Sequence, residues 1–148
     1  MAKIIRADHY RWDVPLKEYK TDGTGFREIT RQTLLGESEG EERLNFLTRY
    51  FEVQPGGYSS LEEHEHPHAV VIIRGQGEVI LHDRVEPVNL HDCVYISPHT
   101  WHQFHAVGDE PLGFLCIVDR ERDRPRLPED EDVERLGQNT EVKRRLRV

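Results

Sequence analysis

Residues 61–68 read Leu-Glu-Glu-His-Glu-His-Pro-His, and the spacing within this stretch decides how the rest of the chain is read. Glu62, His64, His66 and His68 stand at every second position, so on an extended strand all four side chains leave the same face. Imidazole and carboxylate together suit mid-to-late first-row divalent ions, without the conditions that thiolate ligands bring. A fifth candidate, His102, lies in Ser97-Pro98-His99-Thr100-Trp101-His102-Gln103-Phe104, at the start of an expected strand beyond a turn. Closing a barrel would bring it against the first cluster. Nine histidines with acids between several of them are also compatible with a hydrated surface hairpin, so the local residues alone leave both readings open.

Outward from this stretch, residues 44–53 (LNFLTRYFEV) alternate and are rich in aromatic and branched side chains, then meet Pro55-Gly56-Gly57. That pattern predicts a strand followed by a tight turn. Further short strands are expected at 59–66, 68–74, 77–82, 84–90, 93–97, 102–106 and 113–118, a spacing that indicates a sandwich or barrel. The fold class is therefore all-β. The first forty residues show no sustained periodicity; 21–25 (TDGTG) and 36–40 (GESEG) are expected loops, with an early strand over 25–35. After Asp119 the composition changes to RERDRPRLPEDEDVERL. Pro128 at a first helical position, acids in the first turn and Gly137 just past the end predict a short helix or tail, with a second turn over 140–146. The expected organisation is an arm (1–43) packing on the barrel or a partner, a core (44–119) and a charged tail (120–148), without internal repeats.

Composition narrows the function classes. A chain of 148 residues fits one domain and can bury a core without disulfides. Cys93 and Cys116 are far apart with no CxxC spacing, and MAKIIRADHYRW lacks the apolar stretch of a signal peptide, so a reducing cytoplasm is the expected setting. The longest apolar run, 69–73, ends at Arg74, far short of the ~18 residues that span a bilayer, so no membrane partner is expected. With 28 acids against 20 bases, a net charge of −8, the chain is not expected to bind nucleic acid. Lys143, Arg144, Arg145 and Arg147 read as a solvated helix face.

At this point the residues reach a family. The chain resembles the cupins, whose first motif is written G-x5-H-x-H-x3/4-E-x6-G; here Gly56, Glu62, His64, His68 and Gly75 keep every spacing. Glu62 stands where the family has its first histidine and His68 where it has glutamate, so the three-histidine, one-carboxylate composition survives with positions exchanged. The second motif, G-x5-P-x-G-x2-H-x3-N, is weaker: His91, Ser97, His99 and Ala106 replace its glycine, proline, glycine and asparagine, but His102 falls at the ligand position. The likeness runs from about residue 44 to 118.

The resemblance implies a single cupin-type β-barrel, a double-stranded β-helix or jelly roll, with a short helical C-terminal tail. It implies one divalent metal per chain, iron or manganese first and nickel or zinc as further options. The implied ligands are Glu62, His64, His68 and His102, with His66 the alternative fourth ligand. If not a ligand, His66 would face the metal opening as an acid or base. Tyr58, Tyr95, Trp101 and Phe104 are candidate pocket walls, while His91, His99 and His105 are expected at turns or the rim, and Cys116 as a small buried hydrophobe.

Such a site implies a metal-dependent oxidoreductase of dioxygenase type acting on a small molecule. The alternatives are a non-catalytic small-molecule-binding cupin and a metal-dependent sugar or keto-acid isomerase, although no phosphate cradle is legible. A homodimer is expected, with the alternating Tyr10, Trp12 and Val14 available for edge-strand exchange.

Overall fold

The structure is a computed structural model and describes residues 1–18 and 26–148. The loop expected over 21–25 lies outside the described residues. Eleven strands and two short helices are described: β1 Ala7–Asp8, β2 Arg11–Trp12, β3 Leu16–Glu18, β4 Arg27–Leu35, β5 Phe46–Tyr58, β6 His68–Arg74, β7 Gln76–Leu81, β8 Arg84–Val88, β9 Cys93–Ile96, β10 His102–Val107, β11 Leu112–Asp119, α1 Asp130–Leu136 and α2 Thr140–Arg145. The main sheet is antiparallel, ordered β8-β7-β10-β5-β11-β6-β9, with β4 paired to β5 and β3 to β4. It curls strongly into an open half-barrel. The resemblance implies a closed barrel, and the described strands form an open one. The end strands β8 and β9 do not pair but flank a groove lined by Val88, Val94 and Tyr95.

The turn expected at Pro55-Gly56-Gly57 is instead a bend inside one thirteen-residue strand. Gly56 takes φ +78°, open to glycine without strain, and lets β5 change partners. Residues 46–53 pair with β11, whereas Tyr58 pairs with His105 of β10. At Gly57 a Cβ would come within 2.6 Å of the Arg27 carbonyl, so the bend is also a close approach of two backbones.

Alternation along β5 sorts its side chains. Leu47, Phe51 and Val53 join the core with Val70, Ile72, Val79, Ile96, Phe104, Leu112 and Phe114, and Arg49 shares their parity. Tyr50 and Glu52 face the other way and are also buried, because the β1–β2 hairpin lies over them. Its two-residue turn places His9 and Tyr10 at positive φ, the backbone of a hairpin turn usually made by Asn-Gly. Tyr10 then stacks on Tyr50 at 6.1 Å, and Trp12 packs tilted against it at 4.8 Å. Glu52 accepts from Tyr50 Oη at 2.9 Å and pairs with Arg74 at 3.0 Å and Arg11 at 3.3 Å. The arm residues expected to serve a partner subunit thus pack on their own chain.

Both C-terminal helices form. Asp130 is the first residue of α1, with Glu129 as N-cap, which puts Pro128 just outside rather than at the first helical position; Gly137 is the C-cap. The six residues of α2 are too few to hold a helix in water alone. Leu136 and Val142 supply the missing energy by burial against Leu61, Ile80 and Trp101, worth about 1.5–3 kcal/mol each. Gln103 of β10 fastens the chain end, donating to the Arg147 carbonyl at 2.7 Å and accepting from its amide at 3.1 Å. Among the described residues no helix is long and apolar enough to cross a membrane.

Candidate metal centre

Residues 59–67 are not the strand that the alternation predicts. Glu62 forms an isolated antiparallel bridge with His102, the chain bends at residues 65 and 66, and β6 begins at His68. The bridge is a reciprocal pair, Glu62 N to His102 O at 3.1 Å and His102 N to Glu62 O at 3.0 Å. The bend stacks the His64 and His66 rings, centroids 3.8 Å apart and 8° from parallel. Convergence therefore comes from a folded loop pinned to β10 rather than from one face of a strand.

The imidazoles of His64, His68 and His102 each offer a nitrogen within 4.8 Å of the other two, and all three residues are buried. For His64 and His102 the outer nitrogens fix the tautomers. Nδ1–H of His64 donates to the His66 carbonyl at 2.6 Å, and Nδ1–H of His102 to the Thr100 carbonyl at 2.8 Å. Each Nε2 is left as a lone pair turned inward. Nε2 of His64 is buried without a hydrogen-bond partner among the described residues. A buried orphan acceptor beside the inward Nε2 of His102 is costly unless a cation sits between them, so His64, His102 and the adjacent His68 can hold a metal ion. Burial keeps them neutral: it pushes His64 and His68 down and His102 down to about 4.

Glu62 meets this group at His102, and His66 meets it at His64 and His68. The Glu62 carboxylate is 3.9 Å from Nε2 of His102, and burial raises its pKa to about 7 against the opposing charge of Arg49. Nε2 of His66 is 3.2 Å from Nε2 of His68. On its other side, Nδ1 of His66 meets Oδ1 of Asp123 at 2.7 Å. Hydrogen bonds from the Glu65 amide and from His66 hold the Asp123 carboxyl well below the usual range.

A cavity of about 290 Å³ opens on this cluster. Glu62, His66 and His68 line it on one side, Phe26, Ile29, Phe51 and Pro125 supply apolar wall, and Arg31, Arg49 and Arg122 add three guanidinium groups. Arg49 is buried, with Nη2 3.4 Å from Sγ of Cys116, and forms no carboxylate ion pair among the described residues. Arg122 is pushed down by burial and then by the charges of Arg49 and Arg31. The concentration of positive charge beside the histidines is an anion subsite in its chemistry.

The four aromatics expected as walls are elsewhere. Trp101 lies under the C-terminal helices with the Arg126 guanidinium 4.6 Å over its ring, and Phe104 points inward but stacks on Phe114 at 4.5 Å in the core. Tyr58 tilts against His105 at 5.7 Å, and Tyr95 is 69% exposed on β9. The reason is parity and layer: Trp101 belongs to the outer cluster, and β9 is an edge strand. His91 and His99 do sit at exposed turns with positive φ, but His105 is buried on the outer face of β10, bonded to Gln103 at 2.9 Å. Cys116 is buried as expected, yet its thiol also touches Nδ1 of His68 at 3.5 Å.

The family model of the cupin domain matches residues 49–118. A curated relative from Rhodospirillum rubrum, 1-methylthio-D-xylulose 5-phosphate methylsulfurylase, is 46% identical over 129 residues, 86% of this chain and 80% of that one. The chain belongs to the cupins. This cupin is also similar in structure to a cupin 2 conserved barrel domain protein from Rhodopseudomonas palustris, with a TM-score of 0.89, 39% identity and 97% of each chain covered. A cupin 2 domain-containing protein from Halorhodospira halophila is 52% identical, with a TM-score of 0.79, covering 97% of this cupin and 94% of that chain.

Proposed function

We propose that this cupin is a metal-dependent enzyme acting on a small phosphorylated keto-sugar that carries a thioether, the substrate type named for its R. rubrum relative. One observation carries the reading: Arg31, Arg49 and Arg122 line the same cavity as Glu62, His66 and His68, the last a member of the histidine cluster. In this reading Glu62, His64, His68 and His102 hold one divalent ion, and Arg31, Arg49 and Arg122 hold the phosphate. Three imidazoles and a carboxylate suit iron, manganese, nickel or zinc, with iron or manganese favoured by the oxygen donor. Such an ion supplies Lewis acidity toward the carbonyl and hydroxyl oxygens of a bound ketose.

The chain's own residues do the rest. The arginines fix one end of the substrate and so aim its keto end at the histidines, which converts binding energy into orientation. Phe26, Ile29 and Phe51 give the thioether an apolar wall and exclude water. His66 lines the cavity beside His68 and serves as the proton carrier. Dioxygenase chemistry would use the same donor set, and the charge of the cavity then favours an anionic substrate over a neutral diketone or catechol.

The test is metal analysis of the purified chain followed by incubation with 1-methylthio-D-xylulose 5-phosphate, reading its consumption by mass spectrometry with and without chelator. Metal-dependent consumption, lost in Arg49→Ala, supports the reading. No consumption, with oxygen uptake on small diketones or catechols instead, overturns it in favour of a dioxygenase. Tight binding of metal and substrate without turnover overturns it in favour of a binding protein.

A further inference from the structure

The chain leaves the sheet at Asp119 and returns across the cavity mouth as an irregular strap over residues 120–129. Arg122 and Pro125 of this strap line the cavity. Arg126 anchors it: its amide and carbonyl bond with Glu63 at 2.8 and 3.1 Å, and its guanidinium reaches Glu63 at 2.7 Å and Asp132 at 2.8 Å. Asp123 lies between these contacts and turns inward on the loop that carries His66.

Asp123 accepts three hydrogen bonds from that loop. Oδ2 takes the Glu65 amide at 2.8 Å, while Oδ1 takes the His66 amide at 3.0 Å and the His66 ring Nδ1 at 2.7 Å. Two amides fix the carboxylate, and the fixed carboxylate then dictates where the ring proton sits. A carboxylate can only accept, so Nδ1 must carry hydrogen, which in the neutral ring leaves Nε2 as the acceptor, 3.2 Å from Nε2 of His68. The ring cannot escape by turning over, because it is buried and lies flat on His64.

We propose that Asp123 is a positioning residue for this site: it locks His66 in the tautomer whose Nε2 lone pair lies beside His68. The inference deepens the reading above and rests on it for the catalytic consequence alone. The same strap that brings Arg122 to the substrate anion thus also prepares the proton acceptor, so one segment couples anchoring to chemistry.

The experiment reads ring nitrogens directly. Long-range ¹⁵N correlation spectra of the full chain, with zinc supplied as a diamagnetic ion, are compared for wild type, Asp123→Asn and Asp123→Glu, with His66→Gln assigning the resonance. The wild-type His66 ring is expected in the Nδ1–H form. In Asp123→Asn the amide can donate to Nδ1, and the population moves toward Nε2–H; Asp123→Glu restores the wild-type form in part. In turnover, Asp123→Asn lowers kcat about 10- to 100-fold while KM stays within about twofold and bound metal is unchanged. An Nε2–H ring in wild type, an unchanged ring in Asp123→Asn, or an unchanged kcat overturns the proposal. If the phosphorylated ketose is not consumed at all, the functional reading fails while the ring spectra still decide the tautomer.

Discussion

Nδ1 of His68 and Sγ of Cys116 lie 3.5 Å apart, on the paired strands β6 and β11. The thiol is enclosed, and burial raises its pKa despite the pull of Arg49. Thiolate content and access both control alkylation, so Cys116 is a poor nucleophile toward a bulk reagent. Iodoacetamide is expected to label the exposed Cys93 in the native protein and to reach Cys116 only on unfolding, as read by peptide mass spectrometry. Equal labelling rates at the two positions would show that the cavity floor is open.

Acid should destabilise the metal-free protein through its buried histidines. His102 and His105 are pushed down to about 4 and about 3, and His64 and His68 are also lowered, all with burial as the largest cause. Between those values and the unfolded pKa near 6.5, the unfolded chain binds more protons, so stability is full above that range and falls as pH drops. Glu62, raised to about 7, runs the other way and offsets one histidine. The net loss is on the order of 1 kcal/mol per pH unit for each histidine not offset. Urea midpoints in chelator at about pH 7.5 and about pH 5 measure it, and a higher midpoint at the acid end would contradict the assignment.

The two buried histidines of β10 separate metal binding from stability. His102→Ala removes an inward lone pair and is expected to abolish stoichiometric metal. His105→Ala leaves metal content intact but strips Gln103 of a partner, costing about 1–3 kcal/mol of unfolding free energy. Metal analysis and denaturant melts on both variants distinguish the roles.

Arg122→Gln should weaken substrate capture without touching the ion. KM for the phosphorylated ketose is expected to rise roughly tenfold, with kcat and bound metal little changed, since a charged hydrogen bond is lost from ground and transition states alike. Inorganic phosphate should compete in wild type and lose potency in the variant. A fall in kcat at constant KM would instead place Arg122 at the reacting centre.

Much of the sheet is written in local alternation and turn residues. β6, β7, β9, β10 and β11 begin and end within two residues of where their patterns do. The continuation of β5 past Pro55 is not legible, because Gly56 at positive φ serves a turn and an in-strand bend equally well. His64, His68 and His102 come together as their spacing suggests, but the means is different: a bend at residue 65 and a bridge to β10, both tertiary.

Arg49 carries a signal in the sequence. It is a lone charge at the parity of Leu47, Phe51 and Val53, where a strand otherwise feeds the core. That parity says the guanidinium points inward; only the packing of β4 and the strap says that Arg31 and Arg122 meet it there. Asp123 gave no signal at all, being one acid in a run of charges whose path is set by Arg126 and α1.

The span 49–118 contains His64, His66, His68 and His102 together with Arg49, while Arg31, Arg122 and Asp123 lie outside it. In the proposed reading, the histidine centre lies on one piece of polypeptide and two of the three cavity arginines on the pieces that flank it. A lineage could exchange either flank and meet a new substrate without rebuilding the centre, which makes the ends of such chains, rather than their motif, the place where specificities diverge.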